Sequence, residues 1–140
     1  APDGRIYYAP MSARTVLCFD PATGETSHIG DFGGIMKYEQ AVLGADGAIY
    51  FVPNGARRVL RLDPNTRETK LIGSDYGGGF NKWFGGALAP DGCILCPPHA
   101  ASKVLCIDTR AQTTSLIGSD YAGAGVAKWA SAVLAPDGRV

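Results

Sequence analysis

Eleven residues from Lys82 to Gly92, Lys-Trp-Phe-Gly-Gly-Ala-Leu-Ala-Pro-Asp-Gly, return from Lys128 to Gly138 as Lys-Trp-Ala-Ser-Ala-Val-Leu-Ala-Pro-Asp-Gly and, more loosely, from Lys37 to Gly47. Ala1-Pro2-Asp3-Gly4 repeats the end of the same unit. The Asp-Gly pairs at Asp3, Asp46, Asp91 and Asp137 therefore stand 43, 45 and 46 residues apart. At that period each unit makes one supersecondary element that cannot bury its apolar surface alone, so neighbouring units must stack. The chain reads as a single repeat domain, residues 1-140, with repeats at about 1-43, 44-88 and 89-134, and 135-140 beginning a further one.

Within a unit, apolar segments alternate with turn signals, and all are too short for helices. Asp46-Gly47 precedes Ile49-Tyr50-Phe51-Val52; Val59 to Leu62, Asp63-Pro64 and Thr69 to Ile72 follow. An Asp-Gly pair between apolar runs is a strong hairpin signal, and Asp-Pro sets a second turn. The same plan gives Ile6 to Ala9, Val16 to Phe19 and Thr26 to Ile29 in the first unit, and Ile94 to Cys96, Val104 to Ile107 and Thr114 to Ile117 in the third. Each unit is thus predicted to be a four-stranded antiparallel meander, strands A to D, with A preceding the Asp-Gly turn. Strand A is built of small residues, such as Gly85-Gly86-Ala87 and Ala130-Ser131-Ala132. Strands B and C are apolar on both faces, where a sheet with one wet face would alternate. Both features fit sheets stacked radially about an axis, so the predicted fold is an all-β propeller of three four-stranded blades, either a partial propeller or half of a six-bladed ring. A β-sandwich is the alternative; a helical solenoid lacks its helical periods.

The first unit starts at the turn before strand B, and the last segment, Ala130 to Leu134, is a strand A without its blade. Since closed rings have about four to eight blades, three cannot close. Further blades of a longer chain or a homo-oligomer are expected, with Ala130 to Leu134 pairing onto Ile6 to Ala9 of another copy. The absence of an initiating Met leads to the expectation that the chain is processed or excised from something longer.

Lys plus Arg and Asp plus Glu number 13 each. With no net field to draw in phosphates or anionic lipid, no nucleic-acid or membrane partner is expected. No apolar run is long enough for a membrane span.

The unit Ala-Pro-Asp-Gly, Ile-Tyr, Val-Leu-x-Leu-Asp-Pro, Thr-x-x-Ile-Gly resembles the blade repeat of β-propeller proteins. Ile72-Gly73, Gly77 to Gly79, Trp83, Pro90-Asp91-Gly92 and Ile49-Tyr50 resemble the tachylectin type in particular. At the level of architecture it is also similar to kelch, WD40 and six-bladed lactonase-like propellers. The tachylectin resemblance implies sugar binding.

Strand alternation puts the D-to-A and B-to-C loops at one end of the blades and the tight A-to-B and C-to-D turns at the other. Long variable loops favour function. Gly30 to Met36, Gly73 to Asn81 and Gly118 to Ala127 carry Asp31-Phe32, Asp75-Tyr76 and Asp120-Tyr121, and lead into Lys37-Tyr38, Lys82-Trp83 and Lys128-Trp129. An aromatic platform beside a carboxylate, a Lys and open backbone N–H groups is the equipment for stacking on a sugar ring or anchoring a peptide. The candidate ligand-binding residues are Lys37, Tyr38, Asp75, Tyr76, Lys82, Trp83, Asp120, Tyr121, Lys128, Trp129 and Arg57. The competing role is structural, with the Trp residues plugging gaps between blades and the Asp residues capping loops. Arg14, Arg57, Arg58 and Lys103 add positive charge at the same end, or form a solvated loop.

Cys93 and Cys96, three apart on a strand, point to opposite faces and cannot jointly grip an ion or form a bridge. Cys96 and Cys106 are expected near each other across strands B and C, with a disulfide the less favoured state. The thiols fix no compartment. Seven of the acidic residues belong to turns, His28 and His99 are not repeated, and of the strand A positions only Glu39, Gln40 and Ser131 offer polar groups to an axis. Catalytic residues, cofactors and a metal site are therefore not expected. These signs favour a non-enzymatic binding and assembly scaffold with a protein or glycan partner. A multivalent carbohydrate-binding lectin is the second reading and a lactonase- or lyase-like enzyme the third.

Overall fold

The structure, a computed structural model, describes residues 1–125 and 127–140. Val126, within the loop Gly118 to Ala127, lies outside the described residues. Three antiparallel meanders succeed one another along the chain. The first comprises β1 (Ile6–Tyr8), β2 (Val16–Phe19) and β3 (Thr26–Ile29). The second comprises β4 (Tyr38–Leu43), β5 (Ile49–Pro53), β6 (Val59–Leu62) and β7 (Thr69–Ile72). The third comprises β8 (Ala87–Leu88), β9 (Cys93–Cys96), β10 (Val104–Asp108) and β11 (Thr113–Ile117). In each sheet, chain neighbours are also sheet neighbours.

The sheets hold three, four and four strands, which corrects the expectation of three four-stranded blades. The first lacks a strand A, and the segment Ala130 to Leu134, predicted as strand A, forms no strand. The physical reason is the same at both ends: strand A is held by strand B of its own blade, and neither half has its mate. Trp129 is accordingly 44% exposed, whereas the equivalent Tyr38 and Trp83 are 4% and 2% exposed.

The Asp-Gly turns fold as their residues dictate. Asp46 Oδ1 accepts from Ala48 N, Asp91 Oδ1 from Cys93 N and Asp137 Oδ1 from Arg139 N, at 3.2, 2.9 and 3.1 Å. Gly47, Gly92 and Gly138 follow with φ of 79°, 92° and 85°, a left-handed conformation that costs glycine no Cβ clash.

The middle sheet is buried on both faces, so its strands carry apolar residues at successive positions. Ile49, Phe51, Leu60 and Leu62 meet Tyr7, Val16, Cys18 and Ile29 of the first sheet in one core. Ala48, Tyr50, Val52, Val59 and Ile72 meet Ile94, Cys96, Leu105 and Ile107 of the third in another, which also holds Trp83. Hydroxyls that enter are bonded: Tyr50 Oη donates toward Asp46 Oδ2 and the Thr109 carbonyl at 3.0 and 3.1 Å.

All four cysteines are free. Cys106 is opposite Leu95 and Cys96 opposite Leu105, so Cys96 and Cys106 face opposite sides of the sheet, which corrects the expected proximity. Cys106 instead lies diagonal to Cys93, whose thiol is pushed up to about 12, by burial first and then by its hydrogen bond to Cys106. Burial similarly raises the Tyr38 phenol from 10.0 to about 12. Because the folded value lies above the unfolded one, this stabilisation is complete below pH 10.0 and is lost as pH rises through about 12. In an alkaline titration followed by phenolate absorbance, Tyr38 should ionise together with loss of the folded circular-dichroism signal; ionisation near pH 10.0 in the intact fold would refute that burial.

Candidate functional site

Each D-to-A loop is assembled by the same local chemistry. Asp31, Asp75 and Asp120 accept, through Oδ1, the backbone N–H two residues ahead, from Gly33, Gly77 and Ala122 at 3.3, 2.8 and 2.9 Å. The N–H of the next aromatic then bonds the B-to-C loop of its own blade, Phe32 to Arg14 O, Tyr76 to Arg57 O and Tyr121 to Ser102 O. These bonds place the D-to-A and B-to-C loops together at one end, as strand alternation requires.

The repeated lysines close the loops from inside. Lys37 Nζ donates to the carbonyls of Met11, Ala13 and Gly34 at 3.3, 3.0 and 2.7 Å. Lys82 Nζ donates to Gly77 O and Gly79 O at 3.4 and 2.9 Å, and Lys128 Nζ to Gly125 O at 2.9 Å. Lys37 and Lys82 are buried, and desolvation, followed by the positive charge of Arg14 or Arg57, lowers both ammonium groups below the usual lysine value. Their donors are largely spent on the loops they tie.

The aromatics divide in the same way. Trp83 is buried in the core between the second and third sheets, donates Nε1–H to the Lys103 carbonyl at 3.0 Å and meets Tyr76 edge-on with centroids 5.1 Å apart. Tyr76 Oη bonds Thr114 Oγ1 at 2.6 Å. Tyr38 packs on Phe51, and Tyr121 meets the half-exposed Trp129 edge-on at 5.0 Å. Asp75 takes Arg57 Nε at 2.9 Å, and its carboxyl is held below the usual value by the Gly77 N–H first and by Arg57 second. Asp31 pairs with Arg14 likewise. Such exposed ion pairs contribute little to stability.

Between the loops two equivalent clefts open. The larger, 570 Å³, lies between the first and second sheets and brings together Phe32, Lys37, Tyr38, Arg57, Arg58 and Asp75, with Lys70 and Leu71 of β7 along one side. The second, 320 Å³, lies between the second and third sheets and gathers Tyr76, Phe80, Lys82, Trp83, Lys103 and Leu116. By repeat position Tyr76 answers to Phe32, Lys82 to Lys37, Trp83 to Tyr38, Lys103 to Arg58 and Leu116 to Leu71. Among the described residues Arg58, Lys70 and Lys103 are in no ion pair; Arg58 nevertheless lies near enough to Asp75 to help lower its carboxyl, and Lys70, opposite Arg61, projects to the sheet face away from Leu60 and Leu71. Asp120, Tyr121, Lys128 and Trp129 line neither of these clefts.

Arg58 and Lys103 were legible as charge at this end, but Lys70, on strand D, carried no loop signal. The polar strand A residues have neighbours of their own. Glu39 accepts from Asn54 Nδ2 at 3.1 Å, and Gln40 accepts from Gly86 N at 2.7 Å, cross-linking the second and third units. His99 stacks on Phe84 at 4.0 Å between centroids. Among the described residues no three His, Cys, Asp or Glu side chains gather closely enough to hold a metal ion. No helix of the described residues is long and apolar enough to cross a membrane.

No family model matches this chain, and no curated protein does. Solved structures do. Over 84% of its length the chain is similar to virginiamycin B lyase from Staphylococcus aureus (TM-score 0.68, 15% identity), covering 38% of that protein. Over 96% it is similar to Kuenenia stuttgartiensis hydrazine synthase (TM-score 0.69, 18% identity), covering 37% of that chain. Over 81% it is similar to an auxiliary nutrient binding protein from Bacteroides ovatus (TM-score 0.57, 16% identity), covering 33% of that one. The chain thus spans under two-fifths of each. These likenesses correct the expectation of a non-enzymatic assembly scaffold: the similar folds belong to a lyase and to a nutrient-binding protein, and none is named as a scaffold. Three stacked antiparallel sheets, which match propeller-like structures over most of this chain's length, give it a propeller-like fold.

Proposed function

We propose that this propeller segment binds a carbohydrate-sized ligand bearing a carboxylate, in the clefts between successive blades at the long-loop end. The observation that carries the reading is the repetition of the cleft. Two apolar-walled recesses occur at equivalent positions, each with a cation outside any ion pair at its rim: Arg58 in one and Lys103 in the other. The larger volume, 570 Å³, falls in the range of small-molecule sites. Leu71 and Leu116, 52% and 44% exposed, supply apolar surface for a ring face, and Arg58 supplies a planar fork that matches a carboxylate. The buried Lys and Trp residues hold the walls in place.

Titration calorimetry with a panel of neutral hexoses and the corresponding uronic acids tests this. Uronates should bind and neutral hexoses should bind more weakly. Arg58→Ala should weaken uronate binding by roughly tenfold, the order expected for one charge-assisted hydrogen bond. Equal affinity for neutral and acidic sugars, or uronate binding unchanged in Arg58→Ala, would remove the reading.

A further inference from the structure

One loop forms a wall of both clefts. Asp75, which lines the first, and Tyr76, which lines the second, are consecutive residues, so their Cα atoms stand about 3.8 Å apart. The Asp75 carboxylate in this shared wall is already taken, by Arg57 Nε at 2.9 Å and by the Gly77 N–H at 2.8 Å. Its charge is therefore largely met before an anionic ligand approaches.

Phe80, further along the same loop, joins the two recesses. Its ring is 52% exposed, lines the second cleft and lies against Gly55, which lines the first. A Cβ on Gly55 would stand 2.7 Å from Phe80 Cδ1 and 2.7 Å from the Met36 carbonyl, so glycine is what lets the ring rest on the backbone there. The chain behind the ring is anchored on both sides. Asn81, left-handed at φ 63°, turns between the outward Phe80 and the buried Lys82; its N–H donates to Asn54 Oδ1 at 2.7 Å and its carbonyl accepts from Ala100 N at 2.8 Å. An exposed aromatic on a backbone tied to the second and third units is a ready platform for the apolar face of a sugar ring.

We propose, resting on the reading that uronates enter the clefts, that the ligand class is an oligomeric or polymeric uronate, one chain of which occupies both. One carboxylate meets Arg58, an intervening ring stacks on Phe80 and a second carboxylate meets Lys103. Stacked sheets lie about 10 Å apart, so successive clefts are at least about that far apart, and a single sugar ring cannot fill both. A linear chain of several can. Two sites of moderate affinity joined through one ligand gain by effective concentration without any new contact.

Calorimetry with galacturonate and with hexagalacturonate tests this step apart from the reading beneath it. Galacturonate should bind two per chain. Hexagalacturonate should bind one per chain and roughly a hundredfold more tightly, the low end of the gain from linking two sites. Lys103→Ala leaves in place the backbone carbonyl that receives the Trp83 indole, and it should remove most of that gain. Phe80→Ala should lower the ratio of hexagalacturonate to galacturonate affinity severalfold. If galacturonate binds but hexagalacturonate binds two per chain, or with a gain of about tenfold or less that Lys103→Ala leaves intact, the shared chain is overturned and the cleft reading stands. If neither sugar binds, both fall.

Discussion

Trp83→Ala should lower stability by roughly 3–5 kcal/mol, the range for removing a large buried aromatic. Trp83 is 2% exposed and sits in the core that joins the second and third sheets, so little solvent can enter to fill the space it leaves. The same substitution deprives the Lys103 carbonyl of its indole donor and removes the edge-on contact to Tyr76. Against a typical domain stability of about 5–15 kcal/mol, this is a large fraction. Urea unfolding should show a lower midpoint at unchanged slope if the sheets still unfold together. Trp83→Phe separates the contributions: most of the packing remains and the hydrogen bond goes, so about 1–3 kcal/mol should be lost. A loss below about 1 kcal/mol for Trp83→Ala would mean that the indole lies at a surface, as a ligand platform would.

The second large effect is expected at Gly73, which ends β7 with φ of 74°. A Cβ there would run into the Oγ1 and Cγ2 of Thr114 on β11. Thr114 cannot turn away freely, since its Oγ1 receives Ser74 N–H at 3.2 Å and bonds Tyr76 Oη at 2.6 Å. Gly73→Ala should therefore cost the left-handed backbone penalty of about 1–2 kcal/mol plus about 0.5–1.5 kcal/mol for each hydrogen bond displaced. Gly118 is the internal control. It holds the equivalent position with φ of 78°, but among the described residues no atom lies within 4 Å of its would-be Cβ, so Gly118→Ala should cost the backbone penalty alone. Equal losses at the two glycines, read from thermal unfolding, would show that the contact between β7 and β11 is absent.

Much of the fold was legible because turn chemistry and burial leave strong local marks. Val16–Phe19, Thr26–Ile29, Val59–Leu62 and Thr69–Ile72 fall where Asp-Gly and Asp-Pro punctuation puts them. The unbroken apolar run from Ile49 to Val52 announced a strand buried on both faces. Strand A was harder. Its small residues carry little periodic signal, and whether Ala130 to Leu134 forms a strand depends on a strand B that those residues do not encode.

The candidate site was legible as a place more than as a set of contacts. Loop length and strand direction located the end of the blades, and Arg57, Asp75 and Tyr38 do line a cleft there. A Lys before an aromatic looks the same in sequence whether its ammonium waits for a ligand or ties a loop, and here Lys37 and Lys82 tie loops. Leu71 joins the cleft only through the pairing of β6 with β7, which sets it opposite Leu60. The diagonal approach of Cys93 and Cys106 depends on the same kind of register.

Ligand-sized recesses between stacked blades are the basis of the proposed binding. An NMR titration of the isotope-labelled chain with galacturonate maps them directly. The predicted result is two groups of shifted amides, one around Arg57, Arg58 and Leu71 and one around Lys103 and Leu116, with the Asp-Gly turns at the opposite end unmoved. Shifts centred on Asp46, Asp91 and Asp137, or no shifts at saturating ligand, would contradict it.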